Sequence, residues 1–308
     1  MNLDVNFFPG WVRKSITFTI DDGNLTLDRK FLSYVRPAGI KGTFNLTTPL
    51  SRSFGAEGYR ELYSGYEIAN HCRYHAYPFH DGEKYTVCDE PFDPLTANRA
   101  FIYKTAEEGL YRIYTYDWCY LANDRRYAEC VKSCTEELES VFGTGSVRGY
   151  VWPYSMQKNR AVFEQLKAMG FQSIRGTGNL RDRTNFALPT DRSIWGYNVN
   201  DRCLNEVARL YEDFPDDGAL KFFCFGVHSH DYENNGTWEE LASFCKTYGN
   251  RPEDFWYAGN HEIFDYEDAV RQICFDGDRT ISNPSKIDLY IKADGRKLIL
   301  KAGECIIL

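Results

Sequence analysis

Residues 15–23 read SITFTIDDG, and residues 40–46 read IKGTFNL. Apart from Ser15, the first six residues are β-branched or aromatic, which predicts a strand over 15–20. Residues 27–35 then carry a helical apolar period that Pro37 and Gly39 stop. A second strand follows over 40–46. Two strands joined through a helix pair in parallel. The alternation continues outward. Strands are expected at 65–69, 147–152, 171–174, 220–227 and 255–258. Helices are expected near 56–63, at 125–142 before Gly143, at 158–169 before Gly170, and near 200–211, 237–247 and 262–274. Gly170 suits the left-handed residue that commonly ends a helix. Such a chain is α/β. Closed on itself it gives a distorted (β/α) barrel of about seven parallel strands; an open doubly wound sheet is the alternative.

Two segments interrupt this rhythm. Residues 77–123 are rich in tyrosine and split a strand–helix unit, with some helix expected around 98–113. An insertion of this length at a strand's C-terminal end reads as a lid or substrate loop, or as decoration on the barrel's side. Residues 286–308 alternate as IDLYIK, ADG, RKLILK, AGE and CIIL, and Asp294-Gly295 marks a hairpin. The expected organisation is a barrel over 1–280, inserted at about 77–123, with a small β-hairpin extension over 281–308 packed on it.

The 308 residues are 43% hydrophobic and 26% charged, which excludes a disordered or collagen-like chain. A net charge of −8, with Lys and Arg spread along the chain, argues against nucleic-acid and membrane-surface partners. No apolar run approaches the roughly 18 residues of a membrane span. The N-terminal MNLDVNFFPGWVRK lacks the regions of a signal peptide, so a cytoplasmic location is expected unless a leader has been trimmed. The ten cysteines form no CxxC pair, which excludes zinc ribbons and thioredoxin motifs; they read mostly as buried thiols. Aromatics at 16% suit a carbohydrate site, whose sugar faces pack on rings, and equally suit a Tyr- and Phe-heavy core.

The first strand delivers Asp21 and Asp22 side by side before Gly23. Consecutive side chains of an extended chain point to opposite sides, so one carboxylate can bind a metal while the other acts as a base. The plainer alternative is an Asp-Gly turn capping the next helix. After GYEIAN comes His71-Cys72-Arg73-Tyr74-His75. On a helical turn, HxxxH places both imidazoles on one side at the spacing a divalent metal requires. Asp22, His71 and His75 would then make a facial Asp-His-His site with open positions, suited to Lewis-acid hydrolysis. Residues 147–155, VRGYVWPYS, run from a strand into Trp152-Pro153-Tyr154, or simply end a strand at a proline. The apolar strand 220–227 is followed by His228-Ser229-His230-Asp231. His228, first past the strand, is placed as a general acid, with His230 its competitor and Asp231 or Ser229 able to hold its ring.

TIDDG, GYEIANHCRYH, VWPYS and FFCFGVHSH occur in that order. The ordered set resembles the polysaccharide deacetylases. Their pattern is a strand ending T-[FY]-D-D-G, an H-[ST]-x-x-H motif after a G-H-E-[IV]-like lead, a strand end of R-x-P-Y type, and a late apolar strand ending in His. IKGTFNLT is similar to the family's second strand, and the resemblance spans residues 8–274. It implies a distorted, usually seven-stranded (β/α) barrel and a divalent metal, Zn²⁺ first, with Co²⁺, Ni²⁺, Fe²⁺ or Mn²⁺ as alternatives. Carried onto this chain, Asp22, His71 and His75 match the metal ligands. Asp21 matches the general base that activates water at the metal, and His228 the general acid for the leaving amine. The backbone N–H of Tyr154 matches an oxyanion donor. The implied activity is metal-dependent removal of N-acetyl groups from a glycan or amino sugar, with an acetylated carbohydrate as partner.

Three positions depart from the family pattern. Cys72 replaces a Ser or Thr, Ser155 replaces a common Gly, and Val151 stands where many members carry an Arg that orients the base. Arg175, ending the strand at 171–174, is expected to supply that charge from a neighbouring strand; Arg148 faces the opposite side. Two other readings stay open. One is an O-acetyl esterase on a polysaccharide. The other is a carbohydrate-binding member with impaired turnover, supported by Val151 and opposed by the intact Asp21 and His228.

Overall fold

The computed structural model describes residues 2–79, 86–88, 101–113, 116–155, 160–176, 184–276 and 280–308. Its main sheet is parallel, in the order Ser173–Arg175, Gly149–Val151, Glu67–Arg73, Thr43–Thr48, Lys14–Asp22, Lys221–His228. A seventh strand, Phe255–Tyr257, pairs with the first half of Lys14–Asp22. Residues 192–199 join the two ends of the sheet. Ile174 N donates to Arg192 O, Gly176 N to Trp195 O, Asn198 N to Cys224 O and Gly226 N to Val199 O. The expected distorted (β/α) barrel is present, with an irregular seam where a regular strand would stand.

Alternation along the strands sorts the core. Ile16, Phe18 and Ile20 pack outward with Phe31, Leu32 and Val35 of helix Leu25–Val35 and with Phe244 of helix Trp238–Tyr248. The intervening Ser15, Thr17, Thr19 and Asp21 are buried inside the barrel. The interior is therefore a polar column. Asn45 Nδ2 donates to Thr19 Oγ1 at 2.7 Å, and Thr17 Oγ1 to Asn260 Oδ1 at 3.3 Å. At the N-terminal ends of the strands, His261 Nδ1 meets Glu67 Oε1 at 2.7 Å and its Nε2 meets Ser173 Oγ at 2.9 Å. Helix Asn260–Arg271 starts there, and the amide of His261 donates to Glu67 Oε2 at 2.9 Å, an anion at a helix N-terminus. Gly149 makes room for this floor: a Cβ on it would lie 2.6 Å from His261 Cε1.

The helix expected around 98–113 is not found. Residues 98–100 lie outside the described residues, and the rest forms strands Phe101–Lys104 and Leu110–Ile113. They belong to a five-stranded sheet with Thr86–Cys88, Tyr116–Asn123 and Tyr77–Phe79. Aromatic and β-branched residues flank a turn in which Gly109 takes φ 74°, a hairpin pattern rather than a helical one. Residues 158–159, expected to begin a helix, also lie outside the described residues; the helix is described from Arg160–Ala168.

The sequence reading missed strand Leu3–Phe7. It pairs antiparallel with Leu289–Ala293, which turns at Asp294-Gly295 into Arg296–Leu300. Cys274–Asp276, Thr280–Ser282 and Cys305–Ile307 form a further three-stranded sheet. Cys72, Cys130, Cys134 and Cys224 are buried, but Cys203, Cys274 and Cys305 are exposed and Cys245 half-buried. Buried thiols are thus half of the described ones, not most; the side chains of Cys88 and Cys119 lie outside the description. No helix among the described residues is long and apolar enough to cross a membrane.

Candidate active site

In-register pairing places the polar strand ends together. His228 pairs with Asp21, Asp21 with Asn45, and Val151 with Arg175. All but Asn45, which is mid-strand, lie at the C-terminal ends of parallel strands, the face on which barrels of this kind build their sites.

His71 lies within strand Glu67–Arg73, and Cys72, Tyr74 and His75 have φ of 63°, 63° and 49°. The histidine motif therefore sits on a strand end, not on a helical turn. The register shifts between Leu46–Asn70 and Thr48–Arg73, where Cys72 is already left-handed, and Tyr74 and His75 then fold the chain back. His75 Nε2 comes to 3.1 Å from His71 Nε2. Asp22 Oδ1 lies 3.4 Å from His71 Nε2 and 3.5 Å from His75 Nε2. His71 Nδ1 meets the carbonyl of Val151 at 2.9 Å, so this nitrogen carries the proton and Nε2 presents a lone pair.

Asp22 Oδ1 is buried and accepts no hydrogen bond. An unpartnered buried carboxylate oxygen between two imidazole nitrogens is costly by itself. A divalent ion satisfies all three donors, and their separations suit ligands about 2.0–2.2 Å from a shared Zn²⁺. Burial raises the Asp22 carboxyl, but His71, then His228 and His75, outweigh it and hold its pKa far below the usual range. Burial and the neighbouring His71 push His75 down to about 4. An ionised carboxylate beside neutral imidazole is the ligand form a cation needs.

Asp21 is 3% exposed. Its Oδ1 accepts from Arg175 Nη2 and from Asn45 Nδ2, the latter at 2.7 Å. Its Oδ2 faces His71 Nε2 at 3.9 Å. Burial raises this carboxyl as well; Arg175, with His71 and His228, overrides burial and lowers it. Arg175 is fully buried and reaches Asp21 across the barrel mouth. Arg148 instead binds Asp265 and Gln172.

His228 Nδ1 meets Asp231 Oδ2 at 2.9 Å, and its Nε2 lies 3.9 Å from Asp22 Oδ2. Burial lowers its pKa, but the Asp231 hydrogen bond and the charges of Asp21 and Asp22 raise it to about 9. Ser229 does not hold the ring: its Oγ donates to Asp28 Oδ1 at 2.6 Å, and Tyr63 OH donates to Asp28 Oδ2 at 2.7 Å. Burial pushes Asp28 up to about 7. Tyr154 lies in a short turn, Pro153–Ser155, with φ 53° and ψ 19°. Its ring sits 4.4 Å from that of His75, and Tyr77 of the inserted sheet lies 6.1 Å from Tyr154. A cleft of about 350 Å³ opens beside Asp22 between Asn24, Thr47, Leu50, Ser51 and Tyr59.

Sequence reasoning missed Asn45 and Asp28. Each left a signal. Asn45 interrupts the apolar strand IKGTFNL, and Asp28 shares a helix face with Phe31, Leu32 and Val35.

A family model described as polysaccharide deacetylase matches residues 12–174. A search of curated proteins found no relative of this chain. Among solved structures, the chain is similar to the polysaccharide deacetylase Bc1974 from Bacillus cereus, with 12% identity and a TM-score of 0.45 over 82% of this chain and 94% of that one. It is also similar to a family 4 acetyl xylan esterase from Clostridium thermocellum, solved with a cobalt ion (14% identity, TM-score 0.44, 83% and 92% covered). A third is a family 4 carbohydrate esterase from Bacillus anthracis (15% identity, TM-score 0.41, 82% and 83% covered).

Proposed function

The chain belongs to the polysaccharide deacetylase family, a family of hydrolases, and from that premise we propose that it removes N-acetyl groups from a glycan or amino sugar with the help of a divalent metal. One observation carries the reading: an acid and a base, each with its own charged partner, flank the Asp22–His71–His75 cluster.

Asp22, His71 and His75 would hold the ion, with Zn²⁺ preferred for an N,N,O donor set. The ion supplies Lewis acidity and lowers the pKa of water bound to it. Asp21, kept ionised by Arg175, takes a proton at Oδ2, the oxygen that neither Arg175 nor Asn45 occupies. His228, kept protonated by Asp231, gives a proton from Nε2 to the departing amine. The amide of Tyr154 donates to the oxyanion as it develops. The cleft beside Asp22, at the small end of the roughly 300–1,000 Å³ of ligand pockets, receives the sugar. Arg175, paired with Asp21, would take the place of the Arg absent at Val151, and this weighs against a binding protein without turnover.

The test is acetate release from N- and O-acetylated oligosaccharides by metal-stripped protein and by protein reloaded with Zn²⁺, Co²⁺ or Mn²⁺. Release from N-acetylated substrates only after reloading is expected. Release confined to O-acetylated substrates assigns the esterase instead. No release with any metal rejects turnover.

A further inference from the structure

The proposed metal cluster uses only one oxygen of Asp22. The other, Oδ2, lies 3.9 Å from His228 Nε2 and 3.9 Å from His230 Nδ1. The two imidazoles stack with centroids 4.5 Å apart and planes 20° from parallel. Three ligand atoms, one from each side chain, lie within 4.8 Å of one another. Asp231 stands behind both rings, 2.9 Å from His228 Nδ1 and 3.8 Å from His230 Nε2. A carboxylate behind the far nitrogen of an imidazole is the arrangement that orients histidine ligands and raises their basicity. Among the described residues His230 has no hydrogen-bond partner within normal distance.

We propose that Asp22 Oδ2, His228 and His230 form a second site for a borderline divalent cation such as Zn²⁺, and that filling it inhibits the enzyme. The inhibition rests on the function proposed above, because the ion displaces the Nε2 proton of His228 to solvent and occupies the nitrogen from which that proton is delivered. The site itself does not rest on it. Two nitrogens and one oxygen select Zn²⁺ over Mg²⁺ or Ca²⁺, which prefer all-oxygen shells. Geometry ranks the two sites. The first trio stands at 3.1–3.5 Å, whereas in the second each imidazole nitrogen stands 3.9 Å from Asp22 Oδ2, with all three atoms within 4.8 Å, and the site must close further. A dication beside an occupied first site also meets like-charge repulsion. The second ion therefore binds more weakly, and inhibition belongs to excess metal.

The experiment titrates the full chain, already carrying one equivalent of Zn²⁺, with further Zn²⁺ by calorimetry, with Mg²⁺ as the comparison. Wild type is expected to take one more equivalent of Zn²⁺, at least about ten-fold weaker than the first, and none of Mg²⁺. His230→Ala, with an unchanged melting transition, should keep the first equivalent and lose the second; His228→Gln should lose the second as well. On an oligosaccharide that the chain deacetylates, excess Zn²⁺ should slow wild type by about ten-fold or more relative to its one-equivalent rate, and His230→Ala by less than about two-fold. A single equivalent in wild type, or a second retained in His230→Ala, overturns the site. Two equivalents without inhibition overturn the inhibitory role. If no substrate is turned over, the proposed function fails while the binding count still judges the site.

Discussion

Replacing Arg175 by methionine would strip the buried Asp21 of its counter-charge. Arg175 is fully buried and Asp21 is 3% exposed, so neither charge can turn to water. Asp21 would keep only the Asn45 amide at 2.7 Å and the facing His71. Removing one member of a buried ion pair costs about 3–5 kcal/mol. In a chain of this size that lowers the melting temperature by roughly 1.5 °C per kcal/mol. Asp21→Asn/Arg175→Met removes both charges and should recover about 2 kcal/mol or more relative to Arg175→Met alone. The pH dependence gives an independent sign. In wild type the Asp21 pKa is lowered, so its contribution is present above the unfolded value of about 3.9 and is lost as pH falls through the folded value. In Arg175→Met, burial prevails and the pKa rises. The penalty then grows as pH climbs above about 3.9 and is complete above the new folded value. Urea unfolding of metal-free wild type, both single variants and the double variant, at pH 4 and pH 7, reads the difference. It should already be present at pH 4, where the wild-type gain is nearly complete, and should widen toward pH 7 as the variant's penalty develops. A loss below about 1 kcal/mol at pH 7 for Arg175→Met, or a double variant as unstable as the sum of the singles, would refute the reasoning.

His228→Ala should lower turnover by about 10²–10⁴ and flatten the alkaline limb of the pH–rate profile. Asp231→Asn should move that limb to lower pH, since it removes the hydrogen bond that raises His228 to about 9; the same loss from His230→Ala instead would identify the other histidine as the acid. Asp28, pushed up to about 7 by burial, holds a proton that the unfolded chain releases, so wild type should lose stability as pH climbs from about 4 to about 7. Asp28→Asn should flatten that slope in urea titrations, and an unchanged slope counts against the assignment. Glu67→Gln should cost about 1–3 kcal/mol at pH 7 by leaving His261 short of its acceptor, with metal affinity unchanged by calorimetry; a variant as stable as wild type would show that the barrel floor does not depend on it.

The barrel was legible because its strands are β-branched and aromatic runs punctuated by glycine-ended helices, as in SITFTI and IKGTFNL. The seam was not. Residues 195–199, WGYNV, pair with one strand at Trp195 and with another at Val199, so no single period marks them. The insertion misled because tyrosine and arginine are compatible with both helix and strand, and only partner strands decide between them. At the site, Asp21, Asp22, His71, His75 and His228 were readable from strand ends. The geometry of His71 and His75 was not: the helical spacing suggested one route to proximity, and left-handed residues at Cys72, Tyr74 and His75 provide another. Arg175 could be suspected from its strand end. Asn45 escaped notice because one polar residue in a strand says nothing about its neighbour until the register is known.

The seam at 192–199 has an evolutionary consequence. Arg175 stands on one lip of the barrel wall, and the strand bearing His228 stands on the other, next to that of Asp21. The Asp21–Arg175 pair thus latches the wall at its irregular seam. Drift cannot discard Asp21 without loosening the container, so selection for shape and selection for the proposed chemistry fall on the same two residues. Descendants that lose activity but keep the fold should retain Asp21 and Arg175. They should decay first at His228 or His75, since His71 also ties its strand to the Val151 carbonyl.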